Sequence, residues 1–329
     1  MGRFFIHVKI SEGHRNVRHC WGHVFCYYVN ISMNTGDSMK PNDIIIEENQ
    51  KVFALLSNYL NKAPDYVERN EIEELVKYGL SYEQAFATIL AAAFGLDIAD
   101  NPVDREFYNR YFTNIFFRLN PKEYAENAYY RNIKMPAVKM GKSELKYEKY
   151  KPFEGFVCND IVRTLDGRQF PQIGFFAEEF EYPAILENGR IWMTVTPNEV
   201  ETMKDAVSGA KGDVLAYGLG LGYYAYMVSE KADVDSITVV EKNPDIIQLF
   251  QSHILPQFKH ADKVRIIEAD AFEYAKKSMP TEGYDFVFTD LWHDVSDGMG
   301  MYLEMKKHEK LCPGTVFSYW IEKSIQCYL

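Results

Sequence analysis

Asp213-Val214-Leu215-Ala216-Tyr217-Gly218-Leu219-Gly220-Leu221-Gly222 is the stretch that decides the fold, and Glu241 stands nineteen residues beyond its last glycine. An apolar strand that breaks into closely spaced glycines before a helix lets the backbone approach a ligand, because no Cβ stands in the way. Glu241 ends a second apolar run, 236–240, where a carboxylate can accept hydrogen bonds from both hydroxyls of a ribose. Together these features read as a nucleotide pocket. The bland alternative is a tight strand-helix turn with an acid nearby by chance.

The spacing Gly218-x-Gly220-x-Gly222 departs from the dinucleotide pattern G-x-G-x-x-G, and no phosphate loop ending in Gly-Lys-Ser/Thr occurs. Phosphate is therefore not the obvious ligand. Further on, 264–269 reads as a third strand ending in Asp270-Ala271, and 284–289 as a fourth ending in Asp290. In this order the motifs resemble the class I S-adenosylmethionine-dependent methyltransferases, whose first strand ends in a G-x-G-x-G turn and whose second ends in an acid. The resemblance implies S-adenosyl-L-methionine as cofactor, bound by Tyr217, Gly218, Gly220, Gly222, Glu241, Lys242, Asp270, Ala271 and Asp290. Asp270 would meet the adenine amino group; it is equally placed to cap the next helix. Of the aromatics near the strand ends, Tyr217, Tyr223, Phe272 and Trp292 are candidates to face the cation or the adenine, and core packing is the commoner fate of any one of them.

Residues 214–219, 236–241, 264–269, 285–290 and 314–320 are short β-branched or aromatic runs, while 222–230, 244–253, 271–278 and 299–310 carry helical spacing. This alternation predicts an α/β, Rossmann-like domain with a mostly parallel sheet, helices on both faces, and ligands at the carboxyl ends of the strands. The resemblance adds a closing antiparallel hairpin after the fifth strand. Only 321–329 follow here, so either the sheet is shortened or another segment completes its edge.

Ahead of this domain, 49–61, 65–78, 81–94 and 102–118 read as helices, with Ser81 and Gln84 as a capping box and Asn101-Pro102 as a helix start. From 153 to 196 the pattern turns strand-like, with Asp166-Gly167 and Asn188-Gly189 as hairpin dipeptides, and it suggests a β-rich cover beside the site. Thr196-Pro197-Asn198-Glu199 then opens the helix before the first core strand. The expected organisation is a mainly helical N-terminal domain (1–152), a β-rich hairpin segment (153–196) and a Rossmann-like cofactor domain (197–329).

Composition bounds the partners. A net charge of −11 with a pI near 5.3 argues against a polyanion binder, because phosphate-backbone affinity rests on clustered Lys and Arg. Five Cys form no C-x-x-C pair, and no secretory signal or long apolar span occurs, so a reduced, cytoplasmic setting without a membrane is expected. His14, His19, Cys20, His23 and Cys26 lack the paired spacing of a dedicated zinc site, and no metal is expected. The stretch 118–151 mixes Lys, Arg and Tyr with interleaved Glu; a solvated connector is the preferred reading and an RNA contact the alternative. A homodimer is left open.

The acceptor should lie at Asp290-Leu291-Trp292-His293-Asp294, where two carboxylates and an imidazole crowd one strand end. Asp290, His293 and Asp294 are the catalytic candidates, with Asp290 or His293 as base if the acceptor is an amine. A loop of solvated charges is the alternative.

Within the wider family, 237–243, Asp270-Ala271-Phe272-Glu273, 284–290 and Leu165-Asp166-Gly167-x-Gln169 resemble the spermidine synthase-like branch. Two positions depart from that branch. Leu221 stands where it has an acid between the last two loop glycines, and its D-x-x-D-P loop is broken at His293. The expected activity is thus a methyltransferase acting on a small-molecule or protein acceptor. The alternatives are an aminopropyltransferase-like enzyme using decarboxylated cofactor, or a non-catalytic cofactor-binding interaction protein.

Overall fold

The computed structural model describes residues 41–329. The His and Cys cluster between His14 and Cys26 lies outside them. Helices α1 (Pro41–Lys62), α2 (Arg69–Lys77), α3 (Tyr82–Ala93) and α4 (Pro102–Tyr111) come first, followed by β1 (Phe116–Arg118), α5 (Pro121–Ala125) and α6 (Ala128–Asn132). Next come β2 (Val138–Met140), β3 (Ser143–Tyr150), β4 (Phe156–Arg163), β5 (Gln169–Phe175), β6 (Phe180–Glu187) and β7 (Arg190–Thr194). Helices α7 (Pro197–Thr202) and α8 (Lys204–Gly209) lead into β8 (Gly212–Tyr217), α9 (Tyr223–Ser229), β9 (Val234–Glu241), α10 (Pro244–Leu249) and β10 (Val264–Glu268). The chain continues through α11 (Ala271–Lys277), α12 (Met279–Glu282), β11 (Phe286–Thr289), α13 (Val295–Lys306), β12 (Val316–Tyr319) and α14 (Glu322–Gln326).

Strands β8 to β12 form one all-parallel sheet in the order β10-β9-β8-β11-β12, the Rossmann-like α/β arrangement that the alternation predicts. Val214 of β8 aligns with Ile237 on one side and Phe286 on the other. The central strands β8 and β11 are buried over 214–217 and 286–289, as strands covered on both faces must be. After β10 the chain crosses back over β8 and β9 to start β11. The strand order therefore reverses between β8 and β11, which opens a crevice at their carboxyl ends.

No antiparallel hairpin closes this sheet among the described residues; β12 is its edge. The segment after β12 instead forms α14, which packs on β4, where the Ser324 hydroxyl accepts the Ile161 N–H at 3.0 Å and its N–H donates to Asp160 at 3.1 Å.

The two other sheets are antiparallel β2-β3-β6-β7 and mixed β1-β5-β4. Asn188 and Gly189 join β6 to β7 with φ of 51° and 78°, the paired positive values of a two-residue hairpin turn. The capping boxes at Ser81 and Thr196 form as the sequence predicts.

Three local expectations change. The helix over 102–118 stops at Tyr111, and Phe116–Arg118 pair in parallel with Ile173–Phe175, an arrangement that buries Phe116 and leaves Phe117 exposed. The helix over 299–310 begins a turn earlier, at Val295, where Asp294 caps it. The stretch 118–151 is folded rather than a solvated connector: Tyr124 and Tyr129 are buried, and the Tyr129 hydroxyl donates to the Leu221 carbonyl inside the glycine turn. Among the described residues no helix is long and apolar enough to cross a membrane.

Candidate functional site

A cavity of about 350 Å³ lies at the carboxyl ends of β8 to β11, with β7 as one wall. That size suits a small organic ligand. Gly218 has a φ of +92°, and a Cβ there would strike the Asp290 carbonyl, so the strand end tolerates only glycine. Gly220 borders the cavity with a φ of +52°, and a Cβ on it would meet no atom within 4 Å. Gly222, expected at the ligand, does not line the cavity. A Cβ there would strike the Phe250 ring, so its task is to let α9 pack closely.

Glu241 is buried at the cavity wall, 8 % exposed. Its Oε2 accepts the Leu219 N–H at 3.2 Å, while Oε1 accepts the N–H groups of Lys242 and Asn243 at 2.9 and 2.8 Å. Carboxylate oxygens offer about four lone-pair sites, so accepting capacity remains for a ligand hydroxyl. Lys242 lines the cavity beside it. Asp270 caps α11 by accepting the Phe272 and Glu273 N–H groups on Oδ1, both at 3.0 Å. Oδ2 takes no part in that cap, so capping and ligand contact are compatible at one residue. Ala271 and Phe272 line the cavity next to it, and Tyr223 and Trp292 line it elsewhere.

Tyr217 departs from expectation. It is fully buried, set edge-on to Tyr274, and absent from the cavity wall. Alternation explains this, since a residue on a strand covered on both faces points into one layer or the other rather than out of its end.

The acceptor side divides in three. Asp290 lines the cavity, and its side chain has no hydrogen bond among the described residues; burial pushes its carboxyl up to about 8, and the charges of Glu199 and Glu241 add to the rise. His293 lines the cavity with its Nδ1 at 3.0 Å from Asp297 Oδ2 and its ring edge-to-face with Trp192, centroids 4.1 Å apart. Asp294 is elsewhere. Its carboxylate caps α13, accepting the Ser296 N–H at 2.7 Å, and it does not line the cavity, so the structure does not place it as a catalytic group.

Among the wall residues that escape sequence reading are Trp192, Glu199, Asp297 and Trp320. Glu199 was legible only as a helix-start acid. It accepts the Thr196 N–H at 2.7 Å and the Thr194 hydroxyl at 3.1 Å, and burial raises its carboxyl despite those bonds. Trp192 carries no sequence signal, because only the folding of β7 over the sheet brings it to His293. The charge-bearing groups of the wall are mainly acidic: Glu199, Glu241, Asp270, Asp290 and Asp297, against Lys242 and His293. Among the described residues no group of three or more His, Cys, Asp and Glu could hold a metal ion.

No family model matches the chain, and no curated protein matches it. Among solved structures it is similar to a precorrin 8W decarboxylase from Methanobacterium thermoautotrophicum, at 22 % identity over 38 % of this chain and 63 % of that one, with a TM-score of 0.29. It is also similar to a protein from Klebsiella pneumoniae described as an O-methyltransferase, at 16 % identity over 35 % of this chain and 56 % of that one, with a TM-score of 0.27. Each match spans less than two thirds of the solved chain. The fold assignment rests on the sheet's own strand order.

Proposed function

We propose that this chain is an S-adenosylmethionine-dependent methyltransferase acting on an uncharged or cationic acceptor. The observation that carries the reading is the convergence on one cavity of the glycine turn, the Glu241 carboxylate and Asp270, with Asp290 and His293 on the same wall. The open space beside Gly220 and the accepting atoms left on Glu241 and Asp270 fit a nucleoside: ribose hydroxyls at Glu241 and an amino group at Asp270 Oδ2. When bound, the cofactor supplies a methyl group on a sulfonium, open to in-line displacement.

The protein's part is mainly positioning. Holding an acceptor close and in line contributes roughly 7 to 11 kcal/mol. The acidic wall draws a cation and repels carboxylates and phosphates, so an anionic acceptor is disfavoured. Near neutral pH Asp290 keeps its proton and serves as a hydrogen-bond donor, which leaves His293 as the group able to take a proton from the acceptor. Calorimetry with S-adenosylhomocysteine, followed by label transfer from methyl-labelled S-adenosylmethionine into a metabolite extract, tests the reading. Absence of binding would end it.

The same acidic wall favours a second reading. A cationic aminopropyl tail suits the Glu199 carboxyl better than the carboxylate of intact cofactor does, which supports a spermidine synthase-like donor. Leu221, in place of an acid, speaks for the first.

A further inference from the structure

We infer that Asp297 is a positioning residue for His293, holding the imidazole as the tautomer whose Nε2 is the free proton acceptor. The inference rests on the methyltransferase reading. Asp297 sits in the first turn of α13, and its Oδ1 closes the capping box by accepting the Asp294 N–H at 3.1 Å. The same carboxylate accepts the His293 backbone N–H, at 3.1 Å on Oδ1 and 3.3 Å on Oδ2. Its position is therefore set by backbone before the imidazole is considered. Oδ2 then lies 3.0 Å from His293 Nδ1, and Trp192 abuts the ring from β7, about a hundred residues away in sequence. The ring is held by two elements that have no local reason to meet.

A carboxylate beside Nδ1 needs a hydrogen there, and a neutral imidazole with Nδ1–H has its lone pair on Nε2. An isolated histidine side chain prefers the opposite tautomer, so the arrangement works against the intrinsic preference. Asp297 is suited to the task. Burial pushes its carboxyl up, but the hydrogen bonds from His293 and from the backbone of Asp294 and His293 outweigh this and hold it below the usual range, so it stays ionised. Asp290, on the same wall, keeps its proton. Two carboxyls with opposite protonation separate the roles of donor and base-holder. As the acceptor's electron pair forms the bond to the methyl carbon and the C–S pair departs on sulfur, the acceptor's proton passes to Nε2, and Asp297 pairs with the resulting imidazolium.

Nitrogen NMR of the full chain with labelled histidine, without any ligand, tests this, with His293→Gln assigning the resonance. The expected result is His293 as the Nδ1–H tautomer. In Asp297→Asn the ratio of Nδ1–H to Nε2–H should fall roughly tenfold or more, as loss of a hydrogen bond to a charged group implies. The wild-type tautomer is decisive even if that variant does not fold: Nε2–H in the parent overturns the pairing, as does an unchanged tautomer in a folded Asp297→Asn protein. S-adenosylhomocysteine binding is measured on the same sample. The expected tautomer without binding overturns the methyl-transfer reading, whereas binding with the opposite tautomer overturns the pairing alone.

Discussion

Glu241 Oε2 accepts the backbone N–H of Leu219 at 3.2 Å, so the acid at the end of β9 is bonded directly to the glycine turn at the end of β8. The glycine turn and the strand-end acid thus form one joined piece of the cavity wall. Glu241→Ala removes both this tie and the proposed ribose acceptor. Loss of hydrogen bonds to a charged group of about 1.5 to 3 kcal/mol predicts roughly 10- to 150-fold weaker S-adenosylhomocysteine binding. Calorimetry on a variant shown to be folded reads this directly, and equal affinity would remove Glu241 from the site.

Gly220→Val should abolish cofactor binding and also lower stability, because a φ of +52° strains a β-branched residue even where its side chain meets no atoms. The side chain would enter open space rather than packed atoms, and that space is the cavity itself. Circular dichroism separates folding from binding, and a thermal-shift assay reports the binding. Cofactor stabilisation equal to the parent's would show that the ligand does not approach this turn.

Asp290 gives a stability prediction with a definite sign. Its folded carboxyl holds a proton up to about pH 8, whereas the unfolded chain releases it near the ordinary Asp value of about 4. Between those values the folded state binds more protons, so this residue's contribution makes stability fall as pH rises, by up to about 1.4 kcal/mol per unit. Asp290→Asn should flatten that slope. Urea unfolding at about pH 5, 6.5 and 8 compares the two proteins, and parallel slopes would show that Asp290 ionises normally.

Gly298 leaves room for the Trp292 ring. A Cβ there would come within 2.7 Å of the Trp292 ring, which is 4 % exposed and lines the cavity. Gly298→Ala should therefore cost about 1 to 3 kcal/mol through overpacking, although alanine suits a helix better. Denaturant unfolding measures it; a more stable variant would mean that the ring yields freely.

The choice of donor turns on the cofactor's tail. Leu221 offers no anchor for a free amine and no repulsion of a carboxylate, and a protonated Asp290 is uncharged, so intact S-adenosylmethionine should bind at least as tightly as its decarboxylated form. Side-by-side titrations, followed by mass spectrometry of an extract incubated with each, decide it. Preference for the decarboxylated form with aminopropyl addition to an amine would establish the second reading.

The parallel α/β sheet was legible in the sequence because its determinants are local. The runs 214–217 and 286–288 are continuously apolar, the glycines permit positive φ, and an acid stands at or just after the ends of β9, β10 and β11. Gly218, Gly220, Glu241, Asp270 and Asp290 could be named from that pattern, since strand ends in such a sheet open on one crevice. The remainder depends on contacts that no local pattern encodes. Whether a strand-end residue turns into the core, like Tyr217, or onto the cavity, like Asp290, is decided by which layer covers it. Asp294 and Asp297 lie three residues apart in the same helix start. Only the direction of α13 makes one a buried cap and brings the other to His293. Trp192 and Glu199 reach the wall because β7 and α7 fold back over the sheet, a long-range packing outcome set by burial of apolar surface across segments far apart in the chain.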